Sequence, residues 1–138
     1  MNKDFILRFV RFGIVGGSGI IVNSAVLWLL HEQMGFSVPL ASPLAIGLAV
    51  FTNFILNNYW TWRKRRKTYK HRFLYRLMRY YISTSGGALI NYIVLILLTD
   101  SFGIYYFWAN IDGIIVGSLL NFILAEFWVF TDNTTNNV

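Results

Sequence analysis

Residues 53–56 read Asn-Phe-Ile-Leu, and the same four residues recur in the same order at 121–124. Extended outward without a gap, this match aligns residues 5–62 with residues 73–130, and 18 of the 58 aligned pairs are identical. The identities include polar and glycine positions that a shared apolar composition would not align: Arg8/Arg76, Arg11/Arg79, Gly19/Gly87, Asn23/Asn91 and Trp60/Trp128. We therefore interpret the chain as a single domain over residues 1–138, built from two tandem repeats, 5–62 and 73–130, and a basic linker at 63–72.

Each repeat has the apolar content of a membrane protein. Of the 138 residues, 56% are hydrophobic and 13% are charged, and the mean hydropathy is +0.51, whereas a soluble domain carries about 25% charged residues. A helix needs about 20 apolar residues to cross a bilayer, and four windows reach or approach that length: Gly13–Leu30, Pro39–Trp62, Tyr80–Leu98 and Tyr105–Trp128. The predicted fold class is all-α, an integral membrane four-helix bundle of two parallel two-helix repeats, related by a pseudo-twofold axis along the membrane normal.

The charges give this topology an orientation. All 12 Lys and Arg residues lie before the first window or between the second and the third. Because positively charged loops stay on the cytoplasmic side, we expect both termini and the linker to be cytoplasmic, and the protein to be a multi-pass protein of the cytoplasmic (inner) membrane. The net charge of +6 is then explained by the orientation of the protein in the membrane, and no nucleic-acid partner is expected.

Small residues recur every four positions in the second and fourth windows. The ridges are Ala41, Ala45, Ala49, Asn53 and Asn57 in the second window, and Ala109, Gly113, Gly117, Asn121 and Ala125 in the fourth. Small residues at this spacing let helix backbones approach closely in lipid. We expect the two hairpins to pack against each other through these ridges.

Four asparagines lie well inside the predicted spans at positions matched by the repeat: Asn23, Asn53, Asn91 and Asn121. One interpretation is interhelical hydrogen bonding, worth about 0.6–2 kcal/mol for each residue. The other is a polar lining for the path of a lipid headgroup, because polar groups within spans mark functional sites. Both interpretations stay open for these residues and for Asn57, one turn further along the second span.

Two carboxylates fall in the fourth window. Asp112 and Glu126 are 14 residues apart, close to four helical turns, and should share one face. Glu126 either pairs with arginines of the cytoplasmic rim or belongs to the path, whereas Asp112 either faces water and accepts a proton or makes a cap-like hydrogen bond. Trp60 and Trp128 mark the cytoplasmic interface, as aromatic belts do, and join the candidate path residues.

Four arginines precede the first and third windows among aromatic residues: Arg8, Arg11, Arg76 and Arg79. They either orient the protein and attract anionic lipid, or hold a phosphate, which a guanidinium contacts bidentately. Their pairwise duplication is the observation behind the second hypothesis.

The sequence has no catalytic or metal-binding motif. Because there is no Cys, thiolate chemistry is excluded, and the phosphate-loop, zinc-protease and serine-hydrolase signatures do not occur. His31 and His71 fall on opposite sides of the predicted membrane and so cannot share a metal. We expect no enzyme activity, no metal and no cofactor.

Several motifs together resemble the GtrA-like family of small four-span membrane proteins. They are R-F-x-x-V-G-G at Arg11–Gly17, the mid-span Asn23, and N-F-x-x-N-x-x-W-T-[FW] at Asn53–Trp62, with an echo at Asn121–Phe130. The likeness covers about residues 5–130. A basic residue that the family often carries after the fifth motif position is Asn58 here and Glu126 in the second repeat.

The resemblance implies a role in the glycosylation of cell-surface polysaccharide or lipopolysaccharide. The expected activity is translocation of a polyprenyl-phosphate-linked sugar, such as undecaprenyl-phosphate glucose, with the four arginines collecting the phosphate and the polar span residues carrying the headgroup. One alternative is a membrane anchor that recruits a glycosyltransferase partner. Another is a small proton-coupled exporter, which is disfavoured because the first span has no carboxylate. A homo-oligomer is compatible with each of these.

Overall fold

Four helices make up most of the described chain. The computed structural model describes residues 2–133 apart from the side chain of Tyr106, and its helices are α1 (Lys3–Trp28), α2 (Val38–Leu56), α3 (Phe73–Ile96) and α4 (Tyr106–Leu124). Each runs directly into a five-residue π-helical turn, at Leu29–Gln33, Asn57–Thr61, Leu97–Ser101 and Ala125–Val129. By length and composition, all four can cross a membrane. The all-α class and the four-helix membrane architecture are confirmed.

The first and third helices are longer than the predicted spans. They begin ten and seven residues earlier than expected, because the basic, aromatic segments before the first and third windows contain no Pro or Gly and continue the helix without a break. Asn2 caps α1, since its side chain accepts a hydrogen bond from the Asp4 N–H (3.1 Å). With its π-helical turn, α1 has 31 residues and is about 46 Å long, so it exceeds the ~30 Å thickness of the hydrocarbon core.

Each repeat folds into its own helical hairpin. The chain divides between Lys67 and Thr68 into two compact units, with α1 packed on α2 in the first and α3 packed on α4 in the second. Both hairpin loops turn on a glycine with positive φ, Gly35 (74°) and Gly103 (63°), a conformation that glycine adopts without steric cost. The predicted hairpins are confirmed, whereas the assignment of one domain to residues 1–138 stays a prediction.

The small-residue ridges pack inside the hairpins. Ala45 on α2 and Ala109 on α4 are fully buried. A Cβ atom added to Gly117 on α4 would lie 2.5 Å from the carbonyl oxygen of Gly87 on α3, so the two backbones are in direct contact here. Within each hairpin the ridge packs on the neighbouring helix of the same repeat, because the short loop places that helix beside it. The expectation that the ridges also join one hairpin to the other stays a prediction.

Candidate functional site

An arginine–tryptophan contact is repeated at one end of each hairpin, which we call the basic end. In the first hairpin, Arg11 Nη1 donates to the Trp60 carbonyl oxygen (3.5 Å), and the guanidinium lies 5.5 Å from the centre of the Trp60 ring. In the second, Arg79 Nη1 donates to the Trp128 carbonyl oxygen (2.9 Å), and the guanidinium lies 4.9 Å from that ring. These residues are partners in the sequence repeat, so the duplication extends to side-chain contacts.

The π-helical turns place these carbonyl groups where the arginines can reach them. A helix leaves its last carbonyl oxygens without partners inside the helix, and the helix dipole favours a cation there. In the first hairpin the Trp62 N–H donates to the Asn57 carbonyl oxygen (2.9 Å) and closes the wider turn. Asn57, expected in the substrate path, is fully buried and its side chain accepts a hydrogen bond from Thr61 Oγ1 (2.7 Å). It therefore stabilises the turn that presents the Trp60 carbonyl.

Arg79 is also held by Tyr75, one turn earlier in α3. Its Nη2 donates to the Tyr75 hydroxyl (3.0 Å), and its guanidinium lies 4.4 Å from the Tyr75 ring. The Arg79 Nε is buried and has no hydrogen-bond partner within residues 2–133. Cation–π contacts and hydrogen bonds thus pre-orient this guanidinium and leave one of its donors unsatisfied.

Arg76 has a different environment from Arg79. Its side chain is only 6% exposed, its Nη1 donates to the His71 carbonyl oxygen (2.7 Å), and its guanidinium lies 3.9 Å from the Tyr69 ring. These contacts tie the end of the linker to α3.

Arg8 lies in the first hairpin beside a small cavity of about 20 Å³, which Arg11 also lines. Asp4 and Lys64 line the same cavity and form an ion pair of 2.8 Å across it. The two arginines of the first repeat are therefore neighbours, as their three-residue spacing on one helix requires.

A larger cavity, of about 430 Å³, opens at the basic end of the second hairpin. We call it the acid–base cavity, because its lining combines cations, carboxylates and an aromatic ring: Lys70, His71, Arg79, Glu126, Phe127, Trp128, Thr131 and Asp132. Binding sites for small molecules occupy about 300–1,000 Å³. The structure thus brings three sequence-predicted residues, Arg79, Glu126 and Trp128, to one cavity of suitable size.

Besides Phe127, four lining residues were missed from the sequence: Lys70, His71, Thr131 and Asp132. They meet because the linker pairs with the segment after α4. The Lys70 N–H donates to the Thr131 carbonyl oxygen (3.1 Å), and the Asn133 N–H donates to the Thr68 carbonyl oxygen (3.0 Å). The basic linker had been interpreted through its charge alone, which carries no signal for this pairing.

The acid–base cavity places groups of both charge signs side by side. Glu126 is only 4% exposed. Burial lowers the pKa of the His71 imidazole, and the positive charges of Arg79, Lys70 and Arg76 lower it further. His71 is therefore neutral at pH 7 and acts as a hydrogen-bonding group rather than a cation. Within residues 2–133, no three His, Cys, Asp or Glu side chains are grouped so that they could hold a metal ion.

The mid-span asparagines contact glycines of the neighbouring helix in each hairpin. A Cβ atom added to Gly19 would meet the Asn53 side chain, and one added to Gly87 would meet the Asn121 side chain. These pairs are equivalent in the repeat, and a further contact joins Gly113 to Asn91. Glycine is required at these positions because the asparagine occupies the space that any larger side chain would take.

The same asparagines have unsatisfied oxygen atoms. The side-chain Oδ1 atoms of Asn23, Asn53, Asn91 and Asn121 are buried, and none has a hydrogen-bond partner among the described residues. In the second hairpin, Asn91 and Asn121 line a groove of about 150 Å³ together with Thr84 and Ser118. A buried acceptor without a partner costs about 1–3 kcal/mol, so four of them at repeat-matched positions require an explanation.

Asp112 and Glu126 differ in burial. Asp112 is exposed on the surface of α4, whereas Glu126, in the π-helical turn at the end of that helix, is buried. The expectation that they share one face stays a prediction.

The chain matches the family model described as the GtrA/DPMS transmembrane domain over residues 11–130. It is 34% identical over 117 residues to a dolichol-phosphate mannosyltransferase of Pyrococcus furiosus. The aligned region covers 85% of this chain and 32% of that protein. It is 23% identical over 134 residues to the cell wall teichoic acid glycosylation protein GtcA of Listeria innocua and 24% identical to that of Listeria monocytogenes, with 92% of this chain and 87% of each relative covered. The chain thus spans about a third of the mannosyltransferase and most of each GtcA protein.

The family match begins at Arg11 and ends at Phe130. It therefore includes most of the first hairpin and the whole of the second, both arginine–tryptophan contacts and all four mid-span asparagines, and it confirms the resemblance found in the motifs. The chain belongs to the family of GtrA/DPMS transmembrane domains.

Proposed function

We propose that this protein moves a polyprenyl-phosphate-linked sugar, such as undecaprenyl-phosphate glucose, across the cytoplasmic membrane for the glycosylation of cell-surface polymers. The names of the GtcA relatives support a role in cell-surface glycosylation, because those proteins are named for cell wall teichoic acid glycosylation. The name of the archaeal relative supports a polyprenyl-phosphate sugar as the substrate class. The basic ends of the hairpins would lie on the cytoplasmic side, where positively charged loops stay.

The observation that carries this proposal is the set of unpartnered asparagine oxygens along the helices. Sugar hydroxyl groups are hydrogen-bond donors. Asn91 and Asn121 line an open groove, and their Oδ1 acceptors, buried against the neighbouring helix without a partner among the described residues, would turn toward the groove to bind them. A headgroup that crosses the hydrocarbon core needs such acceptors, because an unpaired hydroxyl there costs several kcal/mol. The groove is too narrow to enclose a hexose, so the sugar would move along it laterally while the polyprenyl tail stays in lipid.

The arginine–tryptophan contacts supply the entry point. Arg11 and Arg79 lie within the first three turns of α1 and α3. We place these turns at headgroup depth, because both helices are longer than the hydrocarbon core requires. A guanidinium binds a phosphate through charge-assisted, bidentate hydrogen bonds. In this mechanism the chain binds and moves a lipid, and it makes or breaks no covalent bond.

A second candidate function is recruitment of a glycosyltransferase without transport. The observation that favours it is the partial match to the mannosyltransferase, since this chain covers only 32% of that protein. A membrane unit that accompanies an enzyme in one relative is a plausible partner subunit for a separate enzyme here. In this hypothesis the protein binds the lipid-linked sugar and presents it to the enzyme.

Reconstitution separates the two candidates. Liposomes that contain the purified protein and a fluorescent polyprenyl-phosphate glucose should exchange the probe between leaflets faster than empty liposomes. Asn121→Ala should slow exchange about tenfold, the cost of one lost hydrogen bond in the rate-limiting step. The matched control is Asn110→Ala, an exposed asparagine of the same helix, which should leave the rate unchanged. Binding without exchange by the wild-type protein would reject translocation and leave recruitment.

A further inference from the structure

The two hairpins share the arginine–tryptophan contact but differ in what surrounds it. In the second hairpin, Arg79 opens onto the acid–base cavity of about 430 Å³. In the first hairpin, the cavity beside Arg11 has about 20 Å³, and the Lys64–Asp4 ion pair lies across it. The repeat is therefore symmetric in its backbone contacts and asymmetric in the chemistry at its basic ends.

We infer that the acid–base cavity of the second hairpin recognises the sugar of the headgroup, so that the two repeats are functionally unequal. Arg79 and Lys70 contact the phosphate, and Glu126 and Asp132 accept hydrogen bonds from sugar hydroxyl groups. The inference rests on the proposed function for the source of the ligand, and it adds where and how the sugar is selected.

The mixed lining supports a ligand that carries both a phosphate and hydroxyl groups. A site for phosphate alone is built from cations, and carboxylates beside it weaken it through repulsion of the anion. Carboxylates are acceptors, and hydroxyl groups are the neutral donors that suit them. Lys70 and Arg79 beside Glu126 and Asp132 thus match the two halves of a sugar phosphate.

The size and position of the cavity agree with this assignment. A volume of about 430 Å³ accommodates a phosphate and one hexose but no polyprenyl chain, since small-molecule sites of this kind begin near 300 Å³. Trp128 contributes an aromatic wall, and Phe127, which also lines the cavity, is 61% exposed. The apolar tail of the ligand can therefore leave the cavity along an exposed apolar surface into lipid.

The basic end of the first hairpin lacks this pair of carboxylates. Asn58 stands at the repeat position of Glu126, and Lys64, in the linker that follows the first repeat, lines the cavity beside Arg11. A further surface cavity of about 380 Å³ in this unit is lined by cations: Arg63, Lys64, Arg66 and Lys67. A lining of this kind suits anionic groups of any structure and has no means of selecting a sugar.

Lipid binding by the purified full chain in detergent tests the inference, with a short-chain prenyl-phosphate glucose and the bare prenyl phosphate as the two probes. The wild-type protein should prefer the sugar-bearing lipid about tenfold, a difference expected from one or two added hydrogen bonds. Glu126→Gln and Asp132→Asn should each reduce that preference without weakening the binding of bare prenyl phosphate. Asp4→Asn, the matched loss of a carboxylate at the basic end of the first hairpin, should leave the preference intact.

Two results would overturn the inference: equal wild-type affinity for both probes, or a preference that survives both cavity variants. Glu126→Gln conserves shape at a buried position, and Asp132→Asn lies outside the helices, so one of the two remains informative if the other fails to fold. If the protein exchanges the lipid in liposomes but shows no preference for the sugar-bearing probe, the proposed function stands and this inference fails. If it prefers the sugar-bearing probe but does not exchange it, the inference stands and translocation is rejected.

Discussion

At the scale of single residues, Arg76 and Arg79, which both precede the third predicted span, have different environments. Arg76 is buried over the Tyr69 ring and ties the linker to α3, whereas Arg79 is oriented beside a cavity and has an unsatisfied Nε donor. Cation–π contacts hold both side chains, because Arg stacks on aromatic rings better than Lys does. The phosphate-binding role proposed for all four arginines is therefore best supported for Arg79 and its repeat partner Arg11.

The first prediction at this scale concerns replacement of the guanidinium by an ammonium group. Arg79→Lys keeps the charge and therefore the expression level and topology, but it loses bidentate phosphate contact and the fixed geometry imposed by Tyr75 and Trp128. We expect the affinity for prenyl phosphate to fall about tenfold to a hundredfold. Arg11→Lys, beside the smaller cavity, should have a weaker effect. Titration of the purified variants with bare prenyl phosphate is the measurement, and two variants with wild-type affinity would assign the arginines to orientation alone.

At the scale of helices, small residues and wider turns control how each hairpin is built. Glycine lets α3 and α4 touch at Gly87 and Gly117, and the π-helical turns at the ends of α2 and α4 place carbonyl groups beside the arginines. Because lipid is as apolar as the side chains, such close packing rather than the hydrophobic effect joins membrane helices.

Two glycine variants of the second hairpin should therefore change the free energy of unfolding in opposite directions. In Gly117→Ala the new Cβ would lie 2.5 Å from the backbone oxygen of Gly87, which cannot move without displacing α3, so the free energy of unfolding should fall by about 1–3 kcal/mol. Gly86→Ala adds a Cβ with no atom within 4 Å and should raise it by about 0.5–1 kcal/mol through helix propensity. Unfolding of both variants in the same detergent checks the contrast. Equal stability would show that α3 and α4 are not in contact at Gly117.

At the scale of the whole chain, the duplication predicts that both hairpins enter the membrane in the same sense, and the charges predict which side each end faces. The predicted positions of the two chain ends concern Met1 and residues 134–138, which lie outside the described residues. The linker and the hairpin loops lie within the described residues, so the predicted orientation is tested at these segments. The chain has no Cys, so a single introduced thiol reports one position without background.

Orientation is tested by labelling single-cysteine variants in intact cells. Ser37→Cys in the first hairpin loop should react with a membrane-impermeant thiol reagent added outside, and Thr68→Cys in the linker should react only after the membrane is opened. Both residues are exposed, so a difference in labelling reports the side of the membrane. The reverse pattern would invert the topology and move the acid–base cavity to the outer leaflet.

Several features of this protein are determined by the sequence by itself. The apolar windows predict the four helices, because a membrane span needs only length and apolar composition. The 68-residue offset between matching residues such as Asn53 and Asn121 predicts two equivalent hairpins, and the structure repeats even the Arg11–Trp60 contact in Arg79–Trp128. Fold class and family follow from these local and periodic signals.

Only the tertiary structure determines which residues line the candidate site. Lys70 and Asp132 are 62 residues apart, and they line one cavity because the linker pairs with the segment that follows α4. The π-helical turn at the end of α4 places the Trp128 carbonyl oxygen beside Arg79, which an α-helical count does not predict. Loop pairing and a one-turn change of helix type depend on hydrogen bonds between distant or irregular backbone groups. These leave no periodicity in the sequence, and only the folded chain shows which residues they bring together.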